Sequence, residues 1–125
     1  MSKVQMNYFY GEQANQFNFI RIPKELVVGG EYSFLCVQSK VLYGILLDRM
    51  GMSGKNKWVD EEDRVYIIYS IEDIQADMGI SKHKAVECLA ELENAGLILK
   101  RKRGKGIPNQ IYVKNFIKTQ SMAFA

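Results

Sequence analysis

The chain has 125 residues, enough for one domain with one sizeable core. An apolar share of 47% excludes a disordered tail, and no apolar run approaches membrane-spanning length; the longest, within "KVLYGILLDRM", ends at Asp48 and Arg49. Net charge is only +3, yet residues 97–125 hold seven of the seventeen basic residues and none of the fourteen acids, so a mildly acidic body carries one basic face suited to an anionic partner.

Residues 1–32 show no clear period. They place rings at Tyr8, Phe9, Tyr10, Phe17, Phe19 and Tyr32 among Asn and Gln. Met1 to Gln16 lacks the long apolar stretch of a secretory signal, which implies cytosolic residence. "RIPKELV" suits the start of a short helix, with Pro23 at its first position. From Val37 to Met50 the residues Val37, Val41, Leu42, Ile45 and Leu46 recur at spacings of three and four, predicting an amphipathic helix with a wide buried face. The glycines of "GMSGKNKW" end it. "RVYIIYS", residues 64–70, is β-branched and aromatic and reads as a strand. Ser70, with Asp73 at capping-box spacing, starts a helix that carries Ile71, Ile74 and Met78 on one face and stops at Gly79. Ser81 caps a second helix running to Asn94, with Ala85, Cys88, Leu89, Leu92 and Ala95 as its apolar stripe and Gly96 at its end. "LILKRKR" and "QIYVKN" read as two strands joined by "GKGIPN". The two cysteines, Cys36 and Cys88, read as buried free thiols.

Helix, strand, short helix, tight turn, helix, strand, basic turn, strand is the order of a winged helix-turn-helix, an α+β fold, here with an N-terminal aromatic-rich extension. The turn "MGIS" is the informative corner. A glycine after a helix, an apolar plug at Ile80 and an N-capping Ser81 let two helices cross steeply within a few residues. The second helix then presents Lys82, His83 and Lys84 at its N-terminal end, with Glu87 one turn on, where such helices reach base edges or phosphates in a major groove. An ordinary helical hairpin has the same corner, and the lysines could be a solvated face, so the corner alone does not decide. The hairpin adds Lys100, Arg101, Lys102, Arg103 and Lys105 around Gly104 and Gly106, a density that repels itself unless an anion or solvent neutralises it. Of these, Arg101, Lys102, Arg103 and Lys105 are the expected wing contacts to a duplex backbone or minor groove. If Leu97 and Leu99 point inward, Arg101 and Arg103 share their parity and Lys100 and Lys102 point the other way, so both faces of the tip are charged.

Enzymatic readings lack their residues. "GMSGKNKW" fails as a phosphate loop, because two residues rather than four separate Gly51 from Gly54 and Asn56 stands where a hydroxyl is needed. His83 is the only histidine, too few for metal-dependent nicking or a zinc site. "DEED", residues 60–63, reads as an exposed acidic turn. No catalytic residue, metal or cofactor is expected.

Five runs, "FNFIRIPKEL", "SKVLYGILLDRM", "NKWVDEEDRVYIIYSIEDI", "KAVECLAELENAGLI" and "GIPNQIYVKNF", together resemble the N-terminal domain of the RepA_N family of plasmid replication initiators from Gram-positive bacteria. They fall between residues 17 and 116; "FLCVQSKVLY" departs from the family's usual run there. The resemblance implies a module that binds repeated double-stranded DNA sites at a plasmid origin as a dimer, with no catalysis of its own. It also implies a C-terminal domain, absent here, that would engage host primosome proteins. The expected organisation is a dimerisation arm at 1–32, a winged-helix domain at 33–118 and a linker start at 119–125. Tyr8, Phe9, Tyr10, Phe17 and Phe19 are the expected dimer contacts, against the alternative that these rings fold back onto their own core. Two rival readings stay open on the residues alone: a transcriptional repressor on the same scaffold, and a winged helix used only for protein oligomerisation.

Overall fold

The structure is a computed structural model that describes Met6 and residues 8–11, 18–52 and 58–115. Behind a 3-10 turn at Lys24–Leu26 come helix α1 (Val37–Met52), strands β1 (Trp58–Val59) and β2 (Val65–Ile68), helices α2 (Ile71–Met78) and α3 (Lys82–Asn94), and strands β3 (Ile98–Arg101) and β4 (Gln110–Val113). The strands form one antiparallel sheet in the order β1-β2-β4-β3. This is a winged helix: α1, α2 and α3 pack together, and the sheet closes the core with Ile67, Ile98 and Ile111.

α1 differs from the striped helix its period predicts. Leu42, Tyr43, Gly44, Ile45 and Leu46 are buried in succession, whereas Val37 in the first turn is 71% exposed. The cause is non-local. A Cβ on Gly44 would meet the Ile20 and Ile22 side chains at 2.9 Å and the Arg21 carbonyl at 3.0 Å, so the bare glycine lets residues 20–22 cross over the helix. Leu26 and Leu35 continue this segment into the core. The last part of the expected N-terminal extension therefore shares the domain's core, while Tyr8, Phe9, Tyr10 and Phe19 remain 62–85% exposed.

The corner forms as its local chemistry dictates. Ser70 Oγ accepts the Asp73 amide at 3.0 Å, and the Asp73 carboxylate accepts the Ser70 amide at 3.3 Å. Gly79 ends α2 in the left-handed region at φ 66°, its amide donating to the Gln75 carbonyl at 2.8 Å. Ile80 packs on the core, and Ser81 Oγ accepts the Lys84 amide at 3.1 Å to start α3. The buried face of α3 is Ala85, Cys88, Leu89 and Leu92. At the far end of the same layer, buried Tyr69 donates to Asp77 at 2.6 Å and Arg49 stacks over its ring at 4.1 Å, joining α1 and α2 through the end of β2. Burial pushes the Tyr69 hydroxyl up, and its hydrogen bond to Asp77 adds to this; the same bond holds the Asp77 carboxyl below its ordinary range.

Three features of the sheet depart from expectation. β1 is two residues long, too short to show a period, and pairs Trp58 with Tyr66 and Val59 with Val65. The wing ladder ends at Arg101 opposite Gln110, so the basic loop spans residues 102–109 rather than 104–109. The wing parity is reversed. Leu97 is buried before the ladder begins, its amide donating to the Leu92 carbonyl at 3.0 Å. Within the ladder, Ile98 faces the core and Leu99 is 38% exposed, so half-buried Lys100 shares the inner parity and Arg101 lies on the outer face.

Candidate nucleic-acid interface

α3 offers its ligand an N-terminal end, and a helix N-terminus favours anions. The residues expected there do not stand alike. Lys82 is exposed and makes no ion pair among the described residues, and the His83 side chain is 91% exposed. Lys84 is different: its side chain is only 29% exposed, and its ammonium holds Glu87 Oε1 at 2.8 Å. That hydrogen bond raises the Lys84 pKa and lowers that of Glu87, so each stays charged while neutralising the other. Glu87 also approaches His83 Nε2 at 3.8 Å. Lys82 and His83 are thus presented outward, and Lys84 is held back. The sequence carried the signal for this pair, since Lys84 and Glu87 lie at i,i+3 on a helix.

The wing is built differently. Lys102, Arg103 and Lys105 are exposed on the loop beyond the ladder, with no acid between Lys100 and Gln110. The loop closes on itself: Ile107 N–H donates to the Gly104 carbonyl at 3.2 Å, and the Arg103 side chain donates through Nε to the Pro108 carbonyl at 3.2 Å. Gly106, at φ 79°, supplies the left-handed position that this tight return requires. Arg101 sits at the root, its guanidinium 5.5 Å from the centroid of the Tyr112 ring.

That root holds a cluster the sequence did not reveal. Asp60 accepts the amides of Glu62 and Arg64 at 2.9 Å each, the Arg64 Nε at 2.9 Å and the Tyr112 hydroxyl at 3.0 Å. Burial alone would push its carboxyl up; the four donors outweigh burial and hold it at about 2. The "DEED" turn is therefore exposed at Glu61, Glu62 and Asp63, while half-buried Asp60 is a structural acceptor. Among the described residues no group of three or more His, Cys, Asp and Glu side chains could hold a metal ion, and no helix is long and apolar enough to cross a membrane.

Of the expected dimer residues, Tyr8, Phe9, Tyr10 and Phe19 lie exposed ahead of the segment that crosses α1. Phe17, like the expected linker start at 119–125, falls outside the described residues.

The family model described as "Replication initiator protein A (RepA) N-terminus" matches residues 18–125. A solved "N-Terminal domain of DNA binding protein" is similar at a TM-score of 0.72 and 33% identity, covering 96% of this chain and 92% of that one. A "Structure of Rep-DNA complex" gives a TM-score of 0.72 at 33% identity, covering 94% and 91% of the two chains, and a "Structure of MDR initiator" gives 0.70 at 27%, covering 94% and 93%. The "41 kDa protein" of Lactobacillus helveticus is 27% identical over 114 residues, 86% of this chain; that match spans 32% of the relative's length. The family match takes in both helices of the corner and every strand of the wing, and the chain belongs to the replication initiator protein A (RepA) N-terminus family.

Proposed function

We propose that this chain is the origin-reading module of a plasmid replication initiator, binding repeated double-stranded DNA sites in the cytoplasm and catalysing nothing itself. The observation that carries the reading is the pairing of an outward Lys82 and His83 at the start of α3 with an acid-free basic wing, on a fold 33% identical to a chain solved in a Rep–DNA complex. In this reading Lys82 and His83 meet base edges, with Lys84 and Glu87 beside them. Arg101, Lys102, Arg103 and Lys105 hold phosphates or enter the minor groove. The rings of Tyr8, Phe9, Tyr10 and Phe19, 62–85% exposed, support a homodimer, because aromatic surface open to solvent is buried on a second copy at little entropic cost. Two copies related by a two-fold axis would set two reader helices on paired half-sites. Origin opening and contact with host primosome proteins we assign to parts of the initiator beyond this module.

Footprinting the chain on the plasmid's own DNA tests the reading. The expected result is protection of tandem repeats within the origin. Protection confined to a promoter would make the module a repressor, and no salt-dependent affinity for any duplex would make it a protein-only oligomerisation unit. Sedimentation at micromolar concentration, with and without residues 1–20, tests the dimer; a monomer both free and on DNA would end that part of the reading.

A further inference from the structure

Cys36 and Cys88 are separated by 52 positions in sequence, yet their sulfurs lie 4.0 Å apart. Cys36 is the residue immediately before α1, partly open to solvent; Cys88 is buried on the inner face of α3. Burial pushes the Cys88 thiol up, which leaves Cys36 as the more open sulfur of the two. Ser39 Oγ lies 3.3 Å from the Cys36 sulfur. The Cys36 backbone is fixed in place by its amide, which donates to Glu91 Oε1 on α3 at 2.7 Å. A half-buried thiol with a hydroxyl beside it and a buried thiol 4.0 Å behind it form the arrangement of an oxidisable pair rather than of two packing residues.

We propose that Cys36 and Cys88 form a reversible dithiol modification site, oxidised by peroxides to an intramolecular disulfide that ties α3 to the start of α1. Cys36 reacts first because it is the one solvent reaches. Its thiolate sulfur attacks the peroxide O–O bond; that bond breaks, the alcohol or water leaves with a proton, and Cys36 becomes a sulfenic acid. The Cys88 sulfur then attacks the Cys36 sulfur. The S–O bond breaks, and water departs with the Cys88 proton. Two electrons pass from the two thiols to the peroxide, and a thiol reductant returns them. Forming the bond requires the sulfurs to close by ~2 Å. In a reducing compartment the pair stays open except under oxidative load.

The full chain, reduced and then treated with hydrogen peroxide, provides the test, and it needs no DNA, so its outcome is separable from that of the origin-reading proposal. The expected product is a monomer lighter by two hydrogens, with the Cys36 and Cys88 peptides linked, formed at a rate independent of protein concentration and reversed by dithiothreitol. Its unfolding temperature should rise by roughly 10 °C, because the bond closes a long loop of the unfolded chain. C36S should keep its fold and leave Cys88 unreactive to alkylation in the native state. Two thiols still free after peroxide, disulfide-linked dimers in place of the internal bond, over-oxidation of Cys36 with Cys88 untouched, or an unfolding temperature that does not rise would each overturn the proposal.

Discussion

The start of α3 and the wing both present positive charge, but they stand on opposite foundations. Lys82 and His83 project from a helix whose other face, Ala85, Cys88, Leu89 and Leu92, is fully buried, and Ser81 fixes where that helix begins. Lys102, Arg103 and Lys105 project from an eight-residue loop closed beyond the last ladder pair by the Ile107 amide on the Gly104 carbonyl and by Arg103 Nε on the Pro108 carbonyl. A side chain on a core-packed helix has a fixed origin, as the reading of base edges demands. A side chain on a loop can follow a phosphate backbone without needing that precision. The two regions therefore differ in how strongly the positions of their charged side chains depend on the core.

The largest expected effect breaks this comparison at its foundation. Leu89→Ala removes a side chain that is 1% exposed beneath α3 and should cost about 2–5 kcal/mol of unfolding free energy. Ile107→Ala at the wing, where the side chain is 48% exposed, should stay within about 0.5 kcal/mol. Urea unfolding of both variants checks the contrast; equal losses would mean that the wing tip is as core-dependent as the helix.

The next effect separates base reading from phosphate binding. Lys82→Ala should weaken binding to the origin site by about 1–3 kcal/mol with little change on random duplex. Replacing Arg103 and Lys105 together should weaken both and flatten the plot of log affinity against log salt by ~0.9 for each phosphate that is no longer neutralised. Fluorescence titrations across a salt series distinguish them. Equal weakening of both sequences by Lys82→Ala would move Lys82 to the phosphate class, and an unchanged slope in the wing variant would leave the wing off the duplex.

The legibility of the chain divides along the same line. The corner could be read because its determinants act within three or four residues: Ser70 with Asp73, Gly79 with Gln75, Ser81 with Lys84. The fold class followed from the order of such local elements, and so did the place of α3. Misreadings arose where a distant segment set the environment. α1 is buried all round its middle because residues 20–22 cross Gly44, and no helical period encodes that crossing. The parity of β3 depended on where its ladder begins, which is fixed by pairing with β4. Asp60 looked like one more acid in a run, yet Tyr112, 52 positions away, makes it an acceptor. The Cys36–Cys88 approach is hidden for the same reason.

A smaller effect tests how α3 begins. Ser81→Ala removes the oxygen that accepts the Lys84 amide and should cost about 1 kcal/mol, while Ser81→Gly should cost only a few tenths. Thermal unfolding gives the stabilities, and DNA titration gives the consequence. If the reader depends on a fixed helix start, origin binding weakens more than random binding; a parallel loss on both would show that the first turn orders itself on the duplex.

The root of the wing gives a pH signature. Asp60 titrates at about 2 in the folded chain against an ordinary value of 3.8. A depressed carboxylate contributes stability that is fully present above its unfolded value and is lost as pH falls through the folded one. The wild-type protein should therefore exceed Asp60→Asn in stability by a constant margin above pH ~4, narrowing as pH falls towards ~2. Acid titration followed by circular dichroism measures this. A margin that stays flat down to pH ~2 would show that the Asp60 donors hold the neutral side chain equally well.

The smallest effect on stability has the sharpest reading of the site. Glu87, itself exposed, holds Lys84 at 2.8 Å, so that Lys84 is set back from Lys82 and His83. Two roles are open to it. As a restraint, it keeps Lys84 off the duplex and sets a negative charge near the phosphates. As a reader, its carboxylate accepts a hydrogen from a base edge, the cytosine amino group being the usual donor. Glu87→Gln separates these roles because it keeps the shape and removes the charge. Since the pair lies on an exposed helix face, the unfolding temperature should barely move in either case. We expect the restraint to be the role, because the carboxylate is already committed to Lys84. Affinity should then rise on origin and random DNA alike, and the salt slope should steepen by ~0.9 if the released Lys84 takes up a phosphate. A loss confined to the origin site would instead make Glu87 a base reader, and α3 would read with an acid as well as with its lysine and histidine.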